Sequence, residues 1–265
     1  MADASELRLT FDRVPDLYHR ARTRYPTSLW DRLEAVTGLG AATMVLEIGP
    51  ASGVATEELA ERGAVVTAVE LGPNLAAAAR RNLAAWPQVE IVEGSFDTWE
   101  PTAWGQHDLV VAASCWHWMD PATKYGRAAR HLRPGGHLAF WSATHVFPEG
   151  GDRFFADIQE VYEEIGKGLP DGWVETRPGA IPDRREEIEA SGRFEVVSVD
   201  QFDWEVTYDA EGYIAVLDTF SGHIAMDPPQ RDRLHSEIRR RLAERPGGTL
   251  RRHYGAALHI GRRTD

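Results

Sequence analysis

The stretch TMVLEIGPASG, Thr43 to Gly53, decides how the fold is read. Its first part, Thr43–Gly49, is a short apolar run of the kind that forms a strand buried on both faces. It leads into the turn Gly49-Pro50-Ala51-Ser52-Gly53, and a helical pattern, Val54–Arg62, follows. Glycines at such a turn supply positive φ and let a ligand approach the backbone. The helix beyond presents unpaired N–H groups that suit a carboxylate. The next run, AVVTAVE at Ala64–Glu70, is a second strand, and its last acid lies 21 positions after Gly49. An acid about 20 residues beyond a glycine turn is placed to accept hydrogen bonds from ribose hydroxyls.

Moving outward, strands and helices keep alternating. Asn74–Ala85 is helical, Gln88–Glu93 and His107–Ser114 are strands, and Lys124–Leu132 is a helix closed by Pro134-Gly135-Gly136. His137–Ala143 is a fifth strand. Phe194–Trp204 and His253–Gly261 complete a set of seven, with helices expected at Phe154–Ile165, Tyr208–Phe220 and Gln230–Ala243. Upstream, Phe11–Arg22 is amphipathic and a second helix starts at Pro26. This order predicts an α/β fold: a Rossmann-like three-layer αβα sandwich with a mostly parallel seven-stranded sheet, the last strand antiparallel, plus helical cap elements. The expected organisation is 1–40 as helices over the crevice, 41–146 as the nucleotide-binding core, and 147–265 as remaining strands with cap insertions around a substrate pocket.

Composition narrows the functional classes. Twenty-nine Lys and Arg face 41 Asp and Glu, a formal net charge of −12. A field of that sign repels phosphate backbones, so nucleic acid is not expected as a partner. The single cysteine, Cys115, leaves no internal disulfide and no cysteine-held zinc; no metal is expected. Met1–Thr10 lacks an apolar leader core, and no run approaches a membrane span, so a cytoplasmic protein is expected, monomeric or homodimeric, acting on a small molecule.

Two nucleotide ligands compete for the glycine turn. A dinucleotide fingerprint, G-x-G-x-x-G, seats a pyrophosphate. Here the turn has Ala51 in the middle and an acid, Glu47, two residues before its first glycine. A carboxylate there would repel a pyrophosphate. It would suit the ammonium of a cofactor bearing an amino acid, directly or through water. Charge thus favours S-adenosylmethionine (SAM), with S-adenosylhomocysteine (SAH) as product, over NAD.

The ordered motifs from Phe11 to Ala143 resemble class I SAM-dependent methyltransferases, the broad group near the ubiquinone-biosynthesis and trans-aconitate methyltransferases. The family's [DE]-x-G-x-G-x-G motif is matched by Glu47, Gly49 and Gly53, with Ala51 as a departure that is tolerable if its φ stays negative. Glu70 and the neighbouring Leu71 match the second motif. Gly94-Ser95-Phe96 matches a turn that borders the adenine, with Asp97 a further candidate for its amino group. Ser114-Cys115-Trp116-His117-Trp118 follows strand four, and Leu132-Arg133-Pro134-Gly135-Gly136 precedes strand five. By the same resemblance Arg22 pairs with the methionine carboxylate, and Tyr18 or Tyr25 covers the cofactor.

The implied reaction is methyl transfer by in-line displacement. Most of its acceleration comes from positioning. His117 is the candidate general base, with a wall histidine as the bland alternative. His145 is a weaker candidate. Two other functions fit parts of the pattern: an NAD-dependent oxidoreductase, through Glu70, and a non-catalytic SAM or SAH binder.

Overall fold

A computed structural model describes residues 9–265; the first eight residues of the expected N-terminal unit lie outside the described residues. The strands are β1 (Met44–Ile48), β2 (Val65–Glu70), β3 (Val89–Glu93), β4 (His107–Ala113), β5 (Leu132–Trp141), β6 (Thr144–His145), β7 (Phe194–Tyr208) and β8 (Leu250–Arg263). The helices, in chain order, are α1 (Pro15–Ala21), α2 (Thr27–Thr37), α3 (Val54–Glu61), α4 (Pro73–Asn82), α5 (Lys124–His131), α6 (Phe154–Glu164), α7 (Arg185–Ala190), α8 (Ala210–Leu217), α9 (Ser221–Ile224) and α10 (Pro228–Ala243).

β3, β2, β1, β4 and β5 lie side by side and parallel. β8 then runs antiparallel to β5. Gly255 and Tyr254 of β8 pair with Thr144 and His145 of β6 on one flank, and with Asp203 and Trp204 of β7 on the other. β6 is therefore a two-residue prolongation of the β5 flank. The sheet has the expected seven positions, with β8 the antiparallel strand.

Side chains alternate between two cores, as the pleat requires. Val45, Val111 and Ala139 face Leu29, Trp30 and Leu33 of α2 and Leu59 of α3. Leu46, Val110 and Leu138 face Tyr125 and Ala128 of α5 and Ile188 of α7. That makes three layers. A third cluster joins the later helices to one another through Phe154, Ile158, Tyr213, Leu217 and Leu234.

Local differences from the sequence reading have local causes. The expected helix Phe11–Arg22 is split into a 3-10 turn, Thr10–Arg13, and α1, because Val14 precedes Pro15 and leaves the helical region, at φ −135° and ψ 47°. Pro134-Gly135-Gly136 does not separate α5 from β5. Pairing jumps from His107–Leu132 to Leu109–His137, so the turn is a bulge inside the strand, with Gly135 at φ +75°. The helix expected to reach Phe220 stops at Leu217, and α7 was not anticipated.

Helix α2 is fastened by one large side chain. Trp30 is 1% exposed and meets Trp141 of β5 edge-on, ring centroids 5.3 Å apart. Trp30→Ala is expected to lower unfolding free energy by about 3–5 kcal/mol. Denaturant titration should show this as a lower midpoint with an unchanged slope.

Candidate functional site

The chain leaves β1 for β2 and β3 on one side, then returns to β4 on the other. Beyond the carboxyl ends of β1 and β4, connections diverge and a crevice opens, the usual ligand position of an open α/β sheet. A cavity of about 290 Å³ occupies it, near the lower end for small-molecule sites. Its floor is built from strand ends: Gly49 and Ala51 after β1, Glu70 and Leu71 at β2, Ser114 after β4. Ser95 and Phe96 form one side wall, and Tyr18, Arg22 and Phe220 close it from above.

The turn after β1 is held in left-handed backbone. Gly49 has φ +60° and Gly53 φ +94°. Gly53 is also fixed by packing, since a Cβ there would lie 2.7 Å from Leu83. Ala51 corrects the expectation of a negative φ: it sits at +51°. An L-residue there costs roughly 1–2 kcal/mol, so something else must hold it. Glu70 does. Its Oε2 accepts from Ala51 N at 2.8 Å, and its Oε1 from Gly72 N at 2.8 Å. Each carboxylate oxygen keeps a second lone pair for a ligand hydroxyl. Burial raises the Glu70 pKa, while the Gly72 and Ala51 N–H groups lower it and Asp12 raises it further.

Asp12 is a contributor that sequence reasoning missed. Its Oδ1 accepts from Leu75 N at 2.8 Å and its Oδ2 from Asn74 Nδ2 at 3.0 Å, on the first turn of α4. Gly72 is bare to admit it, because a Cβ there would fall 2.5 Å from Asp12 Oδ1. The N-terminal segment is thereby pinned beside the β2 acid.

Glu47 and Gly53 do not line the cavity. Glu47 is 1% exposed beneath the turn, and its Oε2 has no hydrogen-bond partner. Burial pushes its pKa up to about 8; Thr56, close by without a well-formed hydrogen bond, offsets part of this, and Glu70 adds to it. Arg22 lies between the rings of Tyr18 and Phe220, its guanidinium carbon 4.6 and 4.7 Å from their centroids. It donates to Thr219 O at 2.8 Å, and its buried Nε is unpartnered. Tyr25 is not at the cavity. It bonds Ser114 Oγ at 2.6 Å from behind, and Ser114 stands at φ +62°.

His117 sits on the rim, with Trp118 and Met119 beside it. Partial burial, Arg184 and Lys124 all lower its pKa, so it is neutral near pH 7. His145 is outside the cavity, packed on Phe147 at 4.2 Å, its pKa pushed down to about 3 by burial and by Arg252 and His253. Asp97 faces Asp120 N at 3.3 Å and is not part of the wall. Phe11 and Ser221 belong to the wall and were missed; Phe220, one of the cap aromatics expected to supply pocket walls, joins them. No local motif marks them, since Phe220 arrives from a connection far along the chain.

A glycine turn under a cavity, a β2 acid and an ordered set of strand-end residues thus meet at the carboxyl ends of the strands of an α/β sheet. Residues 46–140 match the family model described as a methyltransferase domain. The chain is 33% identical over 163 residues to an uncharacterized methyltransferase of Mycobacterium tuberculosis, which is 61% of this chain and 61% of that protein. It is 34% identical over 134 residues to the ubiquinone biosynthesis O-methyltransferase of Xanthomonas oryzae pv. oryzae, 50% of this chain and 54% of that one. Among solved structures, its fold is similar to phosphoethanolamine N-methyltransferase 2 of Haemonchus contortus in complex with phosphomonomethylethanolamine and SAH. The TM-score is 0.53 at 15% identity, covering 96% of this chain and 59% of that one. Among the described residues, no helix is long and apolar enough to cross a membrane.

Glu47 gives a pH signature to the unliganded protein. Its folded pKa lies above its unfolded value, so the folded state holds the extra proton between about pH 4.5 and 8. Its stability contribution is full below the unfolded value and is lost as pH rises through about 8. Glu47→Gln is expected to flatten the decline of melting temperature over that window and to melt higher at pH 9.

Proposed function

We propose that this protein transfers a methyl group from SAM to a small-molecule acceptor. The observation that carries the reading is the junction of three things in one cavity: the left-handed turn at Gly49–Ala51, the carboxylate of Glu70 and the stacked guanidinium of Arg22. The residues fit the cofactor. Glu70 would accept from the ribose hydroxyls, with Leu71 beside them. Ser95 and Phe96 would border the adenine. Arg22, whose Nε is unpartnered, would pair with the methionine carboxylate under Tyr18. Cationic charge arriving above the turn would favour the ionised form of Glu47, which holds its proton in the unliganded protein.

SAM when bound supplies an electrophilic methyl: a lone pair of the acceptor forms the new bond to carbon as the carbon–sulfur pair returns to sulfur, leaving SAH. The chain's own part is to position and to exclude water. Phe11, Trp118 and Phe220 roof the cavity with rings. His117, neutral on the rim, takes the acceptor's proton where the acceptor carries one. The name of one relative, a ubiquinone biosynthesis O-methyltransferase, and the small acceptor bound in the similar fold support a small-molecule substrate; so does the net charge of −12, which repels the phosphate backbone of RNA. The turn carries Ala51 where the dinucleotide fingerprint has its middle glycine, which speaks against a pyrophosphate-bearing dinucleotide.

Calorimetry with SAM, SAH and NADH tests this directly. SAM and SAH are expected to bind, and Glu70→Ala to weaken both by about tenfold or more, the loss of one or two charge-assisted hydrogen bonds. Heat with NADH alone would replace the proposal with the oxidoreductase reading. For His117, removal is expected to slow turnover by about a hundredfold while SAH affinity is unchanged; a loss below tenfold would leave it a wall residue.

A further inference from the structure

A second cavity, about 370 Å³, shares His117, Ser142 and Ala143 with the first. It lies beyond the carboxyl end of β5, between that strand, β8 and the segment leading into α7. We propose that it holds the acceptor, and that the acceptor carries an oxyanion, a carboxylate or phosphate, on an apolar body. This rests on the methyl-transfer reading above.

The wall that would take the body is a slab of stacked rings. Trp116 lies on Phe140, centroids 5.3 Å apart at 17°, and Phe140 lies on His259, 5.0 Å apart at 9°. All three line the cavity, with Ile181 and Pro182 opposite in the sequence-distant loop. His259 is neutral: its Nε2 accepts from Arg184 N at 3.0 Å and its Nδ1 faces Ala257 O at 3.0 Å. Burial leads the lowering of its pKa. The rings spend their faces on one another and are almost wholly buried, so what they offer the cavity is an apolar, uncharged wall that favours a weakly polar body.

The charge at its edge is positive. Lys124, 6% exposed, and Arg184, half exposed, both line the cavity. They share a single carboxylate, Glu187, which bonds Lys124 Nζ at 2.7 Å and Arg184 Nη1 at 2.9 Å and is not itself among the lining residues. Glu187 Oε1 also accepts from Tyr125 at 3.0 Å. Asp183, half exposed, lies 3.9 Å from His259 Nε2 and likewise stands outside the wall. The cavity therefore meets two cations directly and their counter-charge only from behind. A buried ammonium with half a partner is a strong attractor for a second anion. Arg184 retains planar N–H donors in the fork that matches a carboxylate or phosphate. Arg184 and Lys124 also bear on His117, which stands on the wall common to both cavities. An anion held by the cations places the rest of the molecule toward His117 and the methyl donor's cavity.

The test uses the intact protein saturated with SAH and three probes of one shape: benzoate, phenyl phosphate and neutral benzamide. Binding is followed by calorimetry and by the fluorescence of the tryptophans that line the cavity. Benzoate or phenyl phosphate is expected to bind about tenfold or more tightly than benzamide, and the tighter of the two identifies the head group. Arg184→Met should weaken the anionic probe by about the same factor, with SAH affinity and melting temperature unchanged, and Arg184→Lys should restore part of it. Benzamide binding as well as the anions, no binding of any probe, or indifference to Arg184→Met would overturn the proposal. If SAH fails to bind, the methyl-transfer reading falls. The same titrations on SAH-free protein then still decide whether the cavity selects oxyanions.

Discussion

Glu70 accepts one N–H from the turn after β1 and another from the turn after its own strand, so a single carboxylate fastens the exits of two adjacent strands. The rest of the cavity depends on that fastening. With Ala51 held by a charged acceptor, the chain tolerates a side chain at positive φ where glycine is the relaxed choice. With Gly72 held, the first turn of α4 is presented to Asp12, which in turn sets the N-terminal segment over the crevice. The cost is a carboxylate almost fully removed from water, offset by charge-assisted bonds to backbone N–H groups.

The floor of the cavity is electrically unusual for a protein of this kind of surface charge. Glu70 is part of it and Glu47 lies beneath it, and Cys115, whose Sγ donates to Ile48 O at 2.8 Å, has its thiol pushed well up by burial and by those two carboxyls. A thiolate is thereby suppressed, and the sulfur acts as a small packing group against Gly49. The roof carries the opposite sign through Arg22. An anionic end of a ligand is drawn to the roof by Arg22, while a cationic centre near the floor meets Glu70 and favours ionisation of Glu47 beneath it.

Much of this was legible in the sequence where one residue type admits few conformations. The run Thr43–Gly53 and the acid Glu70 gave the strand, the turn and the crevice because glycine spacing and apolar runs are local signals. Seven sheet positions, with the antiparallel member correctly placed, followed from alternation. Ala51 was misjudged because its conformation is imposed by Glu70, 19 residues away, and no propensity encodes that. The bulge at Pro134–Gly136 looked like a break because breaker residues do not reveal whether a neighbouring strand bridges them. Asp12 stayed invisible for a different reason: it reaches the crevice through tertiary docking, and an acid at such a place has no signature of its own. The ring slab of Trp116, Phe140 and His259 is of the same kind, three residues from three elements that only the sheet brings together.

The position of β8 has a consequence for how the molecule is assembled. Of the strands described it comes last in the chain, yet it lies inside the sheet, paired along its whole length with β7 and along part with β5 and β6. Until it is in place, β5 and the fifteen-residue β7 each present an open row of backbone donors and acceptors. The nucleotide-facing half can form from contacts near in sequence, whereas the far half waits for a strand threaded between two finished edges. A nascent or nicked chain lacking that ribbon would lose the seam rather than the hem, and would be exposed to pairing with its neighbours.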